Sequence, residues 1–184
     1  MIQAQALSLK DEKLKFPHLI HYYSDFLFKF LKKYHQDLNL SMSILDAGCG
    51  HGRNLNLLYN LGFRNLTGID IIKRKNFKKY SYQELDLTKD SIKNKYDIVL
   101  CNFVLMFVDP KHQIKVIDKL LNSTNKYLLI ETRQIQGEYS YTCYIQNFYY
   151  YIKSAYDVEI LYYNKNKERL LIKKCQKQMD ILNK

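Results

Sequence analysis

The hydrophobic and polar positions alternate along the chain in a way that predicts strands and helices in turn. Between His18 and about Gln36, large apolar residues recur every three or four positions, which is typical of a helix with one buried face. Short apolar runs predict strands at Ser43–Asp46, Asn65–Asp70 and Ser81–Leu87. Strands that alternate with helical segments favour the α/β class with a mostly parallel sheet.

The second half continues this alternation and then changes to an antiparallel pattern. The apolar run that starts at Tyr96 predicts a central strand buried on both faces. The remaining predicted elements are a helix from Asp109–Pro110 to Asn122, a strand at Lys126–Ile130, a helix over 143–154, and hairpin strands at Val158–Tyr163 and Arg169–Cys175.

Two of the connections are too short for a full crossover helix. Only the ten residues Ile71–Tyr80 separate the second strand from the third, and Lys89–Lys95 is shorter still. We therefore expect trimmed crossovers after strands two and three.

The most informative stretch runs from Ser43 to Leu55 and reads Ser-Ile-Leu-Asp-Ala-Gly-Cys-Gly-His-Gly-Arg-Asn-Leu. Glycines at every second position link a strand to the helix predicted over Arg53–Leu61, which Gly62 ends. A dinucleotide fingerprint requires Gly-x-Gly-x-x-Gly, but its third position here is Arg53. The stretch thus indicates a nucleoside-type ligand other than a dinucleotide.

The motif Asp46-x-Gly48-x-Gly50-x-Gly52 resembles that of the class I S-adenosylmethionine-dependent methyltransferases. The chain is similar to the small tellurite-resistance and thiopurine-type methyltransferases in three segments, Gly50-x-Gly-Arg-Asn54, Tyr96-Asp-x-x-Leu and Val104-Leu-Met-Phe107. The resemblance covers about residues 43–110. It implies an enzyme that transfers a methyl group from S-adenosylmethionine.

The same resemblance implies a Rossmann-like doubly wound sheet, mostly parallel, with an antiparallel C-terminal hairpin. With 184 residues the chain has room for one domain. We expect a single methyltransferase domain over 1–184, in which residues 1–40 form a helical cap and residues 43–175 form the core.

Several positions are predicted to bind the cofactor. In the resembled family the first acid orients the loop, usually through the amino group of the cofactor. Asp70 lies where a carboxylate accepts the ribose hydroxyls, and Asp86 lies where the family contacts adenine. The predicted cofactor-binding residues are Asp46, Gly48, Cys49, Gly50, Gly52, Asn54, Asp70, Ile71, Asp86, Leu87, Asn102 and Phe103.

The acceptor side is less defined by the sequence. Asn102-Phe103 is not followed by the prolines of methyltransferases that act on amino groups of DNA. Predicted substrate-binding residues are Tyr22, Tyr23, Met106, Arg133, Tyr139 and Tyr141. No catalytic residue is identified, because His51, His112 and Tyr22 are candidates for a base by residue type only.

The formal charge of +11 leaves an RNA acceptor as an alternative to a small molecule. Basic residues concentrate at Lys73–Lys79 and Lys165–Lys184, although a chain rich in Lys, Asn, Ile and Tyr is also what A/T-rich codons produce. The trimmed crossovers and the missing base add a third reading, a cofactor-binding, non-catalytic subunit of a methyltransferase complex.

Other partners are not indicated. The four cysteines lie far apart without a Cys-x-x-Cys pair, so we expect neither a metal site nor disulfides. No apolar run of about 18 residues exists to span a bilayer, and Met1–Lys13 is polar rather than signal-like, so we expect a cytoplasmic protein without a membrane partner. The oligomeric state stays open.

Overall fold

A computed structural model describes residues 23–73, 78–133 and 140–175. Within these ranges the strands are β1 Ile44–Ala47, β2 Leu66–Asp70, β3 Ser81–Glu84, β4 Tyr96–Asn102, β5 Thr124–Glu131, β6 Val158–Asn164 and β7 Arg169–Lys174. The α-helices are α1 Asp25–Tyr34, α2 Arg53–Asn60, α3 Pro110–Ser123 and α4 Ile145–Ala155. Short 3-10 turns occur at His35–Asp37 and Leu105–Phe107.

The strands form one sheet in the order β3-β2-β1-β4-β5-β7-β6. The five strands β3, β2, β1, β4 and β5 are parallel, whereas β7 pairs antiparallel with both β5 and β6. The predicted Rossmann-like sheet with an antiparallel C-terminal hairpin is confirmed.

Alternate residues of each strand enter two separate cores, one on each face of the sheet. In β4, Ile98 and Leu100 pack with α1 and α2 on one face. Val99 and Cys101 pack with α3 and α4 on the other face. The continuous apolar run of β4 is explained by this double burial, as predicted.

The strand order changes direction between β1 and β4. From β1 the chain proceeds outward through β2 and β3, and from β4 it proceeds the other way through β5. In open α/β sheets ligands bind at the carboxyl ends of the strands at such a switch point. The loops after Ala47, Asp70 and Asn102 converge there.

Some predicted boundaries are wrong. The first described helix begins at Asp25 rather than continuing from His18, because Ser24 has extended backbone and its hydroxyl accepts the N–H of Leu27. Strand β3 ends at Glu84 rather than Leu87, since the Asp86 carboxylate accepts the backbone N–H of Thr88 and forms a turn.

The short crossovers agree with the sequence. Residues 85–95 contain turns but no helix. Residues 71–73 and 78–80, the described parts of the connection between β2 and β3, contain no helix either. Among the described residues no helix is long and apolar enough to cross a membrane. In the same ranges no three His, Cys, Asp or Glu side chains are grouped so as to hold a metal ion.

Candidate functional site

The glycine loop after β1 is held in a left-handed conformation at each alternate position. Gly48, Gly50 and Gly52 have φ of 75°, 55° and 74°. Glycine adopts such values without the steric cost that a Cβ imposes. The loop is also tied to β2, because the Ile69 carbonyl accepts the N–H groups of both Gly48 and Cys49.

Two of these glycines have different surroundings. A Cβ on Gly48 would meet Cγ2 of Val104 at 2.3 Å, so only glycine permits this contact between the loop and the segment after β4. A Cβ on Gly50 would meet no heavy atom within 4 Å and would point into open space. The space beside Gly50 is therefore a cradle that a side chain would fill.

This space belongs to a cavity of about 410 Å³ at the switch point. Its volume lies within the usual range of small-molecule sites, about 300–1,000 Å³. Residues on its walls are Gly48, Gly50, Asp70, Ile71, Ile72, Leu85, Asp86, Leu87, Thr88, Phe103, Val104, Phe107 and Val108. Seven of the predicted cofactor residues are among them, from the ends of four separate strands.

Five predicted cofactor residues lie outside the cavity wall. Asp46, Cys49, Gly52, Asn54 and Asn102 are buried next to the loop or beneath it. Asn54 serves the fold directly, since its Oδ1 accepts the backbone N–H of Ser24 at 3.0 Å.

Asp70 performs a structural task at the wall of the cavity. One carboxylate oxygen accepts the Gly50 N–H at 2.8 Å, and the other accepts the Ile72 N–H at 3.0 Å. A carboxylate offers about four acceptor positions, so each oxygen retains one for another donor. The same side chain can thus shape the loop and accept two hydroxyl groups; its role toward ribose stays a prediction.

Asp86 is also engaged within its own turn. Its Oδ1 accepts the hydroxyl of Thr88 at 2.7 Å, and Lys89 lies 3.2 Å from Oδ2. The hydrogen bond from Thr88 is the main cause that holds the pKa of Asp86 below its usual value. The carboxylate therefore stays ionised at the edge of the cavity, as an acceptor for an amine requires.

Two buried oxygen atoms near the loop have no hydrogen-bond donor within the described residues, Oδ2 of Asp46 and Oδ1 of Asn102. Burial raises the pKa of Asp46 from 3.8 to about 7, although the hydrogen bond from Asn54 and the charge of Arg53 oppose the rise. A buried acceptor without a donor is costly. These oxygens fit the cationic amino group of the predicted cofactor, which would supply the missing donors.

Phe103 follows the end of β4 in a conformation rare for a bulky residue. Its φ is 59°, and its N–H donates to the Glu131 carbonyl at 2.6 Å. The guanidinium of Arg53 lies 5.9 Å from the centroid of its ring, and that of Arg133 lies 5.1 Å from it. Two cations therefore flank the aromatic ring at the wall of the cavity.

The structure separates the predicted substrate residues. Arg133 lies over Phe103, but Met106 is buried in the core and its carbonyl accepts the Tyr141 N–H. Tyr23 stacks on Phe28 with centroids 5.8 Å apart. The cavity wall does not include Tyr23, Met106 or Tyr141. Tyr22 and Tyr139 lie outside the described residues.

The two histidines proposed as candidate bases are not on the cavity wall either. His51 is an exposed residue of the glycine loop, and His112 lies in the first turn of α3. The titratable groups of the wall are Asp70 and Asp86. Both are predicted cofactor residues, so the described part of the cavity wall presents no further group that could act as a general base.

A buried polar network that the sequence did not predict closes the sheet edge beside the cavity. Glu131 accepts from the Ser24 hydroxyl at 2.6 Å and from the Asn102 amide at 3.1 Å. Its other oxygen accepts Nε of Arg169 at 2.7 Å. The network joins the start of α1 to the ends of β4 and β5 and to the start of β7.

The apolar part of the cavity wall was also missed in part. Phe107 and Ile72 lie on the wall and remain 61% and 55% exposed although they are large and apolar. The sequence signal for Phe107 was the segment Val104-Leu-Met-Phe107, which resembles the tellurite-resistance group. Periodicity alone does not separate such wall residues from core.

Residues 19–157 match the family model for a methyltransferase domain. The comparison with curated proteins finds no match. Solved structures share the fold at low identity. Magnesium protoporphyrin IX methyltransferase from Synechocystis PCC 6803, with bound S-adenosylmethionine, is 17% identical, with a TM-score of 0.58 over 91% of this chain and 92% of that chain.

Two further structures show the range of proteins with this fold. TehB from Haemophilus influenzae is 22% identical, with a TM-score of 0.60 over 80% of this chain and 62% of that one. The 16S rRNA methylase RmtB is 16% identical, with a TM-score of 0.59 over 95% of this chain and 76% of that one.

Proposed function

Because the chain belongs to the methyltransferase-domain family, we propose that it transfers the methyl group of S-adenosylmethionine to a small-molecule acceptor beside Phe103. Family membership confirms the predicted enzyme class, with S-adenosylmethionine as its cofactor. The proposal about the acceptor is carried by one observation: a single cavity at the switch point extends from the glycine loop and the two acids to the apolar segment after β4.

Different residues at the cavity are proposed to bind different parts of the cofactor. We assign the nucleoside part to Asp70 and to the segment around Asp86, and the amino group to the buried oxygens of Asp46 and Asn102. When bound, S-adenosylmethionine supplies a methyl group on a sulfonium that an in-line nucleophile displaces. The chain contributes orientation and exclusion of water, the main requirements of such a displacement.

The acceptor end of the cavity favours a small molecule. Val104, Phe107 and Val108 form an apolar wall there, and such walls with a few polar groups characterise small-molecule sites. Because no described base faces the cavity, the proposed acceptor ionises readily or is a soft nucleophile such as a thiol.

RNA remains the second candidate because of the net charge of +11 and the shared fold with RmtB, a 16S rRNA methylase. Phosphate contacts weaken steeply as salt rises. Binding of a ribosomal RNA fragment that survives physiological salt would favour this candidate over the small molecule.

The Asp70→Ala variant tests the cofactor site. Hydrogen bonds to a charged group contribute about 1.5–3 kcal/mol, so loss of this carboxylate should weaken binding roughly tenfold to a hundredfold. Calorimetric titration with S-adenosylmethionine, S-adenosylhomocysteine and NAD measures it. Asp157→Ala, at an exposed aspartate between α4 and β6, is the matched control.

We expect the wild type and Asp157→Ala to bind the first two ligands equally and not to bind NAD. Unchanged affinity in a folded Asp70→Ala variant would contradict the site. Tight cofactor binding with turnover only after a partner protein is added would instead identify a non-catalytic subunit.

A further inference from the structure

We infer that the methyl acceptor carries a carboxylate, which Arg53 and Arg133 bind beside the ring of Phe103. This inference rests on the proposed function and specifies the substrate class of the same site. The sequence does not predict that the two arginines lie close together, since 80 positions separate them in the chain.

Within the described residues the two guanidinium groups form no salt bridge. Arg53 and Arg133 are exposed and lie over the Phe103 ring, at 5.9 Å and 5.1 Å from its centroid. Arg53 also interacts electrostatically with the buried Asp46. The other two described arginines are different, since Arg64 donates to the carbonyls of Tyr59 and Phe63, and Arg169 pairs with Glu131. The guanidiniums without a hydrogen-bonded anion are thus the two beside Phe103, which lies on the cavity wall.

The position of Arg53 has an electrostatic cost. It is the first residue of α2, and the first turn of this helix contains no acidic residue. A cation at a helix N-terminus is unfavourable, because the free N–H groups there carry partial positive charge. The ionised carboxylate of the buried Asp46 would offset this repulsion in part, and an anion that binds beside the exposed Arg53 would relieve it further.

Phe103 holds the two arginines at one location. Its left-handed backbone aims the ring at the cavity wall, and a non-glycine residue in this conformation costs on the order of 1–3 kcal/mol. Such strain is concentrated at functional sites. Both guanidiniums lie within 5.9 Å of the centroid of this ring, so one small ligand beside Phe103 can reach both.

Guanidinium geometry selects the anion. The planar fork of arginine matches the two oxygens of a carboxylate and forms paired, charge-assisted hydrogen bonds. Two such forks next to an aromatic ring and an apolar wall suit an aromatic or other planar carboxylic acid. Because both forks converge on one ring, a single small molecule satisfies them better than the spaced phosphates of RNA.

Benzoate and its neutral isostere benzamide are the probes. We expect benzoate to bind the protein saturated with S-adenosylhomocysteine at least about tenfold more tightly than benzamide, because the amide lacks the charge that doubles the strength of such hydrogen bonds. Ligand-observed NMR titration measures both. Arg53→Gln and Arg133→Gln should each weaken benzoate about tenfold, and the double variant should reduce it to the level of benzamide.

The control is Arg64→Gln, which removes an arginine remote from Phe103 and should leave benzoate binding unchanged. All variants should still bind S-adenosylhomocysteine and unfold cooperatively on heating, which shows that they are folded. Benzoate is therefore titrated at saturating S-adenosylhomocysteine in each variant, so that any effect of Arg53 on cofactor affinity through Asp46 does not enter the comparison. Equal binding of benzoate and benzamide to the wild type, or benzoate binding that survives in the double variant, would overturn the inference.

Failure of the proposed function is distinguishable from failure of this inference. If S-adenosylhomocysteine does not bind, the proposed function fails; if it binds and benzoate shows no preference, only the carboxylate inference fails. Loss of single-stranded RNA binding in the double variant, without any preference for benzoate, would assign the arginines to phosphate and overturn the inference.

Discussion

Two regions beside the cavity, here called the glycine-loop side and the Glu131 side, are built in different ways. On the glycine-loop side the contacts are close in sequence, such as the bond from the Gly50 N–H to Asp70, twenty residues away. On the other side, Ser24 bonds to Glu131 across 107 residues. The first side depends on backbone conformation and hydrogen bonds to main-chain groups, whereas the second depends on buried polar side chains that meet only after folding.

This difference assigns a separate measurable property to each side. Changes on the glycine-loop side should alter ligand affinity with modest effects on stability. Changes in the Glu131 network should alter stability first, because its members are buried and each loses a partner when another is removed.

The largest effect is expected for Glu131→Gln. The Arg169 side chain is 15% exposed and the Glu131 side chain 3%, so removal of the charge leaves a nearly buried cation with only the exposed carboxylate of Asp25, at 3.4 Å, as its ionic partner. Breaking a buried pair in this way costs about 3–5 kcal/mol. Equilibrium urea denaturation measures the loss.

The matched control for this variant is Lys29→Ala. The pair of Lys29 with Asp25 is equally short, 2.7 Å, but both side chains are 61% exposed. An exposed pair contributes at most about 1 kcal/mol. A loss for Glu131→Gln that is no larger than for Lys29→Ala would remove the distinction between the two sides.

Asp46 gives a pH-dependent test on the glycine-loop side. Its pKa of about 7 in the folded protein exceeds the usual 3.8, so the folded state retains a proton that the unfolded state releases. Stability from this group is present below pH 4 and is lost as the pH rises to 7. Each unit of pKa difference is about 1.4 kcal/mol, so we expect an effect on the order of 4 kcal/mol.

Asp46→Asn should flatten this dependence, as measured by urea denaturation between pH 4.5 and pH 7.5. Affinity for S-adenosylmethionine should rise with pH in the wild type, because only the ionised carboxylate pairs with an ammonium group. A wild type and variant with the same pH profiles would show that Asp46 does not titrate in this range.

The smallest effect on stability is expected for Gly50→Ala. Alanine at a φ of 55° costs about 1 kcal/mol, and its methyl group enters the cradle beside the loop. Gly62→Ala is the control, because Gly62 has a φ of 101° but ends α2 away from the cavity. Both variants should be slightly destabilised, but only Gly50→Ala should lose cofactor affinity by calorimetry.

Much of the loop side was predictable because its signals are local. The alternation of Gly48, Gly50 and Gly52 after a strand predicts left-handed positions, which the φ values match. The carboxylates of Asp70 and Asp86 were expected at the ends of their strands, and both reach the cavity. A parallel sheet brings strand ends to one edge, so these positions need no knowledge of long-range packing.

The sequence by itself determined the α/β fold, its trimmed crossovers and the positions of the loop and the acids. Only the tertiary structure decided that Ser24 caps the start of α1 and that Glu131 joins four elements. It also decided that Arg53 and Arg133 both lie over the ring of Phe103. The reason is physical: periodicity and glycine conformation act over a few residues, whereas the partner of a buried polar or charged group is set by packing across the whole sheet.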